Sequence, residues 1–289
     1  MKTVKELVEL LTLEKIEEAV FRGQNYQTPW KRVFGGQVLG QALHAAYQTV
    51  PEDRIAHSMH GYFILAGDTA EPVTYEVDTI RDGRSFTTRR VVALQHGRAI
   101  FNMAASFQKK QAGLDHQVTI PNVLPPESLL SDIEQLAEWK EKAPQLYKRA
   151  TLIHPNAIEF RPVEKWGLIK PKASRPFSHV WIRAREKVSL DLPMQQQMLA
   201  YASDYGLLRT ATLPHRDKID PMRTFYASLD HAIWFHRDFA IDEWLLYATD
   251  SPSASNSRGF TRGNIFNKAG QLVASVAQEG LIRQLDKKP

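Results

Sequence analysis

The stretch FNKAGQLVASVAQEG, residues 266–280, decides how the rest of the chain is read. It reads as one long strand. Leu272, Ala274 and Val276 fall on one face, and Val273, Ser275 and Ala277 on the other, the period-2 pattern of a strand. The first row is apolar until Gln278 closes it. A buried amide costs free energy unless its hydrogen bonds are met. Gln278 therefore either sits at a strand end that reaches water or has polar partners inside.

An earlier stretch, GRAIFNMAASF (97–107), has the same build as GQLVASVAQEG (270–280). Both open on a glycine suited to a hairpin turn and then alternate. Upstream, SFTTRRVVALQHG faces GFTRGNIFNKAG, SMHGYFILAGD (58–68) faces SLDHAIWFHRD (228–238), and VLGQALHAAY (38–47) faces MLAYASDYGL (198–207). The last pair has small and apolar residues at helical spacing. Each half thus runs one helix and then several strands, in the same order, with displacements of 160, 170 and 173 residues. Steady displacement in constant order indicates duplication, and so long a period indicates two fused units, not a solenoid.

Between the halves, QKKQAGLDHQVTIPNVLPPE is rich in Pro, Gly and polar residues and reads as a linker. SLLSDIEQLAEWKEK (128–142) is expected to be a linker helix capped by Ser128, with Pro144 just beyond it. Strands are expected near IEFRPV and SHVWIRAREK. The division expected is 1–110 for the first unit, 111–150 for the linker with its helix, and 151–289 for the second unit. A helix followed by a mainly antiparallel sheet gives an α+β unit whose helix covers one sheet face.

Composition narrows the function. The 289 residues are 43% hydrophobic and 24% charged, as in a globular protein. There is no cysteine, which excludes disulfides, thiolate metal sites and cysteine nucleophiles. The opening MKTVKELVELLTLEKIEEAV alternates charge with Leu, Val and Ile and reads as a helix, not a signal peptide. No run approaches the ~18 apolar residues of a membrane span, and the final LDKKP is not a peroxisomal address. A cytoplasmic location is expected. The formal charge is +5, with basic residues scattered along the chain. That suits a phosphorylated small molecule better than a nucleic acid.

Few side chains are placed to do chemistry. Asp204 lies in QQMLAYASDYGLLRT, where a helix would put it on one face with Ala200, Tyr201 and Leu208. Burial and the negative helix end would both disfavour its charge; an exposed position or a structural hydrogen bond are the plainer readings. Its counterpart in the first half is His44, and that of Gln278 is Ala105. Ser228 precedes a strand and could bond local backbone. His57, His60 and His231 sit beside strands without zinc spacing. Asp230 and His231 read as supporting groups. Gly35 and Gly36, in FGGQVLG, match neither a P-loop nor a dinucleotide fingerprint; they suit close backbone approach at a helix start. No GxSxG elbow occurs.

Taken in order, FRGQNYQ, FGGQVLGQAL, SMHGYF, DGRSFTTRRV, SDYGLL and SLDHAIWFHR resemble the motifs of the type II acyl-CoA thioesterases. The resemblance runs from the LEKIEEAVFRG helix to QEG and is weakest in the linker. It implies a double hotdog fold, in which two α+β hotdog units each wrap a curved sheet around a long central helix. It implies hydrolysis of fatty acyl-CoA to free acid and CoA. It also implies that Asp204, Ser228 and Gln278 together hold the attacking water, with Gly35 and Gly36 near the thioester. Arg84, Arg89 and Arg258 are candidates for the CoA phosphates, since Arg grips phosphate bidentately. The oxyanion donors are either backbone N–H groups at a hotdog helix end or the Gln278 amide. Neither a cofactor nor a metal is expected, and further assembly into a dimer or tetramer is implied. Two other functions compete. One is a hotdog hydratase or dehydratase, which needs an acid–base pair such as Asp with His at the helix. The other is a non-catalytic acyl-CoA binding protein, which would not need the Asp, Ser and Gln together.

Overall fold

The computed structural model describes residues 3–28, 31–137, 139–152, 157–165, 172–220 and 223–285. The chain starts with helix α1 (Val4–Leu11), capped by the Thr3 hydroxyl and burying Val4, Leu7 and Leu11. The helical pattern expected over the first twenty residues stops there. Strands β1 (Glu14–Glu17) and β2 (Val20–Gly23) follow as a hairpin. Phe21 explains the change: it is buried by pairing opposite Tyr75 in the next strand of the sheet, and such a tertiary partner overrides local helix preference.

Helix α2 (Gly35–Tyr47) comes next, then β3 (Ile55–Phe63), β4 (Val73–Asp82), β5 (Phe86–Gln95) and β6 (Arg98–Gln108). The second half has β7 (Ile158–Pro162), β8 (Phe177–Ala184), α6 (Leu192–Ser203), β9 (Thr224–Ser228), β10 (Asp230–Phe235), β11 (Leu245–Ser255), β12 (Arg258–Asn267) and β13 (Leu272–Gln284). The strands join in one antiparallel sheet, β1-β2-β4-β5-β6-β3-β10-β13-β12-β11-β8-β7, with β9 also on β13. Read inward from either edge, the two halves have the same strand order, and they meet at the β3–β10 pair. The duplication is therefore visible in the topology.

Hydrogen-bond register corrects the alignment of the halves. Ala105 stands between Arg89 of β5 and Met59 of β3. Gln278 is opposite Thr261 of β12, and the pair Ala232–Ala277 places His231 at its other side. His231 thus matches Met59, two residues away from the match read in the sequence. A slip of two leaves a period-2 pattern unchanged, which is why sequence alternation does not detect it. The opening stretch also divides differently: Phe266 and Asn267 close β12, Gly270 turns at φ 84°, and β13 starts at Leu272.

Helices α2 and α6 pack against each other under the sheet; α2 is buried from Gly36 to Ala46 and α6 from Gln196 to Ser203. Their contacts run Gly36 to Tyr201 and Gly40 to Gln197, so the helices are antiparallel. The N-terminus of α2 therefore meets the C-terminus of α6. The linker crosses the outer face of the second half, where Ile120, Val123 and Leu129 pack on Trp181, Trp244, Leu246 and Phe266. Within the helix expected over 128–142 the described residues form α3 (Asp132–Ala137) and α4 (Trp139–Lys142), and a further helix, α5 (Pro144–Leu152), follows. Ser131, not Ser128, is the cap. Its hydroxyl accepts from the Glu134 N–H while the Glu134 carboxylate accepts from the Ser131 N–H, a reciprocal capping box. Pro144 opens α5, because proline tolerates the first helical position. Among the described residues no helix is long and apolar enough to cross a membrane.

Candidate active site

Asp204 is the C-cap of α6, not an interior helix residue, and it is half-buried. Gly206, at φ 74°, then turns the chain into a 3-10 helix, Leu207–His215, which carries Leu208. Ser228 ends β9, at a kink where Leu229 N–H donates to the Glu279 carbonyl and the Leu229 carbonyl accepts from Phe63 N–H. Asp230 secures the far side of the kink by accepting from the Glu279 N–H at 2.6 Å. Gln278 projects from β13 and is 1% exposed.

These three side chains meet. Gln278 Nε2 donates to Asp204 Oδ1 at 3.0 Å and to Ser228 Oγ at 2.6 Å. Ser228 Oγ is also 3.4 Å from Asp204 Oδ1. The apolar row of β13 ends on an amide whose partners are inside. Both N–H groups of Gln278 are used in this way, so the amide has no donor left for an oxyanion. Asp204 Oδ2 has no hydrogen-bond donor among the described residues and faces the start of α2. A Cβ added to Gly35 would lie 2.7 Å from it. Phe34, the N-cap of α2, gives no side-chain cap, and the Gly35 and Gly36 N–H groups have no acceptor within their own helix. The positive end of α2 therefore stands beside the uncommitted carboxylate oxygen.

Sequence reading left two features of this site unplaced: the contacts of His231, expected only as a supporting group, and the part played by the linker. The first is His231, 1% exposed, whose Nδ1 is 3.0 Å from Gln278 Oε1 and whose Nε2 is 3.0 Å from Ser203 Oγ. Burial lowers its proton affinity, against the opposing pull of the Asp204 charge. Only the register reveals it. The second is the linker. A cavity of about 1030 Å³ opens over Asp204, Ser228, Gln278 and Gly35, and its wall includes Leu136 and Trp139 from α3 and α4. A second cavity of about 630 Å³ adjoins it through Tyr205, Gly206, Leu207, Arg209 and Arg216 and holds none of the three polar groups.

The side chains of the other expected site residues do not line the cavity. Gly36 serves helix packing, since a Cβ there would be 2.3 Å from the Tyr201 carbonyl oxygen. Arg89 is 2% exposed, paired with Asp82 at 2.8 Å and bonded to the Thr49 hydroxyl and carbonyl. Arg84 is exposed in the turn before β5, and Arg258 opens β12 in an ion pair with Glu279 at 2.9 Å. None of these three arginines lines the cavity, whose basic residues are Arg32, Arg209 and Arg216. His44 bonds Gln197 at the helix crossing, His57 bonds Ser106, and His60 packs edge-on against Trp234.

Comparison with known proteins decides the family. Residues 159–281 match the family described as acyl-CoA thioesterase, and residues 26–108 match the acyl-CoA thioesterase N-terminal domain. Acyl-coenzyme A thioesterase 8 of Homo sapiens is 43% identical over 284 residues, covering 95% of this chain and 88% of that protein. The chain belongs to the acyl-CoA thioesterase family. It is a thioester hydrolase with a double hotdog fold. The crystal structure of acyl-CoA thioesterase II TesB2 from Mycobacterium marinum superposes on this thioesterase with a TM-score of 0.79 and 40% identity, over 96% of this chain and 98% of that one. A hot dog fold protein of unknown function from Alicyclobacillus acidocaldarius gives a TM-score of 0.76 at 17% identity, over 97% and 99%, a likeness of fold alone.

Proposed function

We propose that this thioester hydrolase cleaves fatty acyl-CoA to fatty acid and CoA by general-base activation of water, with Asp204 as the base. The observation that carries the reading is the convergence of Asp204, Ser228 and Gln278 on one cavity, with Asp204 Oδ2 uncommitted beside the start of α2. Asp204 takes a proton from water as its oxygen bonds to the thioester carbonyl carbon. Gln278 fixes the carboxylate and the Ser228 hydroxyl, and Ser228 orients the water. The oxyanion that forms is met by N–H groups of the first turn of α2, because both Gln278 N–H groups are engaged. The C–S bond then breaks, and the thiolate of CoA leaves and takes up the proton held by Asp204.

Arg32, Arg209 and Arg216 are the cavity's cations for the CoA phosphates, in place of Arg84, Arg89 and Arg258. The lack of cysteine suits a cytoplasmic setting. Exposed Tyr62, Ile64 and Leu65 at the end of β3 support self-association into a dimer or tetramer.

The test is thiol release from a series of acyl-CoA substrates by wild type and Asp204→Asn. Asn keeps the shape but cannot accept the proton, so kcat should fall about 10²–10⁴-fold with the fold intact. A folded Asp204→Asn variant with near wild-type kcat removes the mechanism. Crotonyl-CoA losing enoyl absorbance without thiol release would favour the hydratase reading instead.

A further inference from the structure

We infer that His231 is a positioning residue for hydrolysis, holding the Gln278 amide in the one orientation that serves Asp204 and Ser228. The inference rests on the hydrolytic reading above and extends it to a residue that touches neither substrate nor water.

The hydrogen-bond chemistry leaves little freedom. A carboxylate only accepts, so the atom of Gln278 that faces Asp204 Oδ1 at 3.0 Å must be nitrogen. Oε1 then points at His231 Nδ1, 3.0 Å away, and Nδ1 must carry a proton. With the proton on Nε2 alone, two lone pairs would oppose each other, and the amide would be driven out of its place. The tautomer follows from the Gln278 side, which requires Nδ1–H. On the other side of the ring Nε2 lies 3.0 Å from Ser203 Oγ, whose hydroxyl also reaches the Ala200 carbonyl oxygen at 2.9 Å. In the neutral ring with Nδ1–H, Nε2 carries a lone pair and shares the single Ser203 hydroxyl proton with the Ala200 carbonyl as alternative acceptors. Ser203 is the residue before Asp204. The ring therefore spans from the helix end that carries the base to the strand that carries the amide, and it fixes their separation.

The first half of the chain shows that the sheet does not require this ring. By register, Met59 stands where His231 stands, and Ala105 where Gln278 stands. The same strands form around an apolar pair where no catalytic carboxylate is near. The His–Gln pair occurs as a unit in the half that holds Asp204.

A double-mutant cycle tests this, with His231→Met, Gln278→Ala and the two combined, read as kcat and KM for acyl-CoA hydrolysis. His231→Met should lower kcat about 10- to 100-fold with KM little changed, as misplacement of a catalytic group does. In the Gln278→Ala background the same change should cost nothing further, because the ring acts through that amide. His231→Asn puts an N–H donor near the Nδ1 position and should retain more kcat than His231→Gln, whose amide reaches only toward Nε2. If His231→Met fails to fold, the Asn and Gln variants decide alone, with thermal melts as the control. Additive losses in the cycle, or Asn and Gln variants equal in kcat, would overturn the inference while the Asp204 mechanism stands. A Gln278→Ala variant with wild-type kcat would likewise overturn the inference, whereas the Asp204 mechanism falls only with an active, folded Asp204→Asn.

Discussion

Gly35 and Gly36 are neighbours at the start of α2, yet a methyl group on each would meet different atoms. At Gly35 the new Cβ would stand 2.7 Å from Asp204 Oδ2 and 3.1 Å from the Phe63 ring. Side chains can move, so Gly35→Ala should fold but displace the carboxylate, with kcat reduced about 10²-fold or more. At Gly36 the obstacle is the Tyr201 backbone oxygen, 2.3 Å away. The two helices would have to separate, so Gly36→Ala should cost about 1–3 kcal/mol of stability. Paired measurements of kcat and urea midpoint on both variants check the contrast; equal effects on both would refute it. The same comparison separates Arg89 from the cavity arginines. Arg89→Ala should lower stability by on the order of 2–3 kcal/mol by stripping buried hydrogen bonds, with KM for acyl-CoA unchanged. Arg216→Ala should raise KM for acyl-CoA.

Among the elements, the linker helices contribute most beyond what their sequence suggests. Leu136 and Trp139 are both buried against the cavity that holds Asp204. Neither makes a hydrogen bond to the Asp204–Ser228–Gln278 cluster, so trimming the wall should leave the chemistry in place. Trp139→Ala enlarges the apolar space and should shift the preference among acyl-CoA chains toward longer or bulkier ones, seen as a changed ratio of kcat/KM values across a chain-length series. An unchanged ratio would show that the linker only covers the cavity. The kinked pair β9 and β10 acts at the same scale. Its break at Leu229 turns Ser228 toward Gln278, and Asp230 holds the break in place.

For the whole molecule, buried histidines set the acid side of stability. Burial lowers the proton affinity of His44 and His231 below the ordinary 6.5. With the folded value depressed, the unfolded chain takes up protons first as pH falls through 6.5. Stability is therefore full above 6.5 and declines below it. Glu134, Glu159 and Glu164 are held below their ordinary 4.5 by hydrogen bonds and neighbouring arginine or histidine, so their contribution is lost only at lower pH. The urea midpoint should fall between pH 6.5 and 4.5, and His44→Gln, which can still reach Gln197, should flatten that slope. A midpoint independent of pH across this window would contradict it. Self-association is tested at this scale as well. Sedimentation at micromolar concentration should show a species larger than one chain, and a Tyr62→Lys variant should weaken it.

The sequence by itself determined the duplication, the strand-rich α+β units and the row of β13 that ends on Gln278. Alternation and spacing are local properties, and they survive in every copy. Asp204 and Gln278 stand out in the sequence against small apolar neighbours, while Ser228, and the grouping of all three, came only with the resemblance to the type II acyl-CoA thioesterases. Sequence reading misjudged β1 and β2, because a helical charge pattern gave way to the partner Tyr75 offers Phe21. It misjudged the linker cap, where Ser131 and Ser128 are equally plausible until Glu134 folds back on one of them. Only the tertiary structure decided that the halves align two residues from their apparent match, that His231 braces Gln278, and that Arg89 is committed to the fold. Those facts depend on which strand lies beside which and how two antiparallel helices bring Gly35 against Asp204, contacts between residues far apart in the chain that no local pattern encodes.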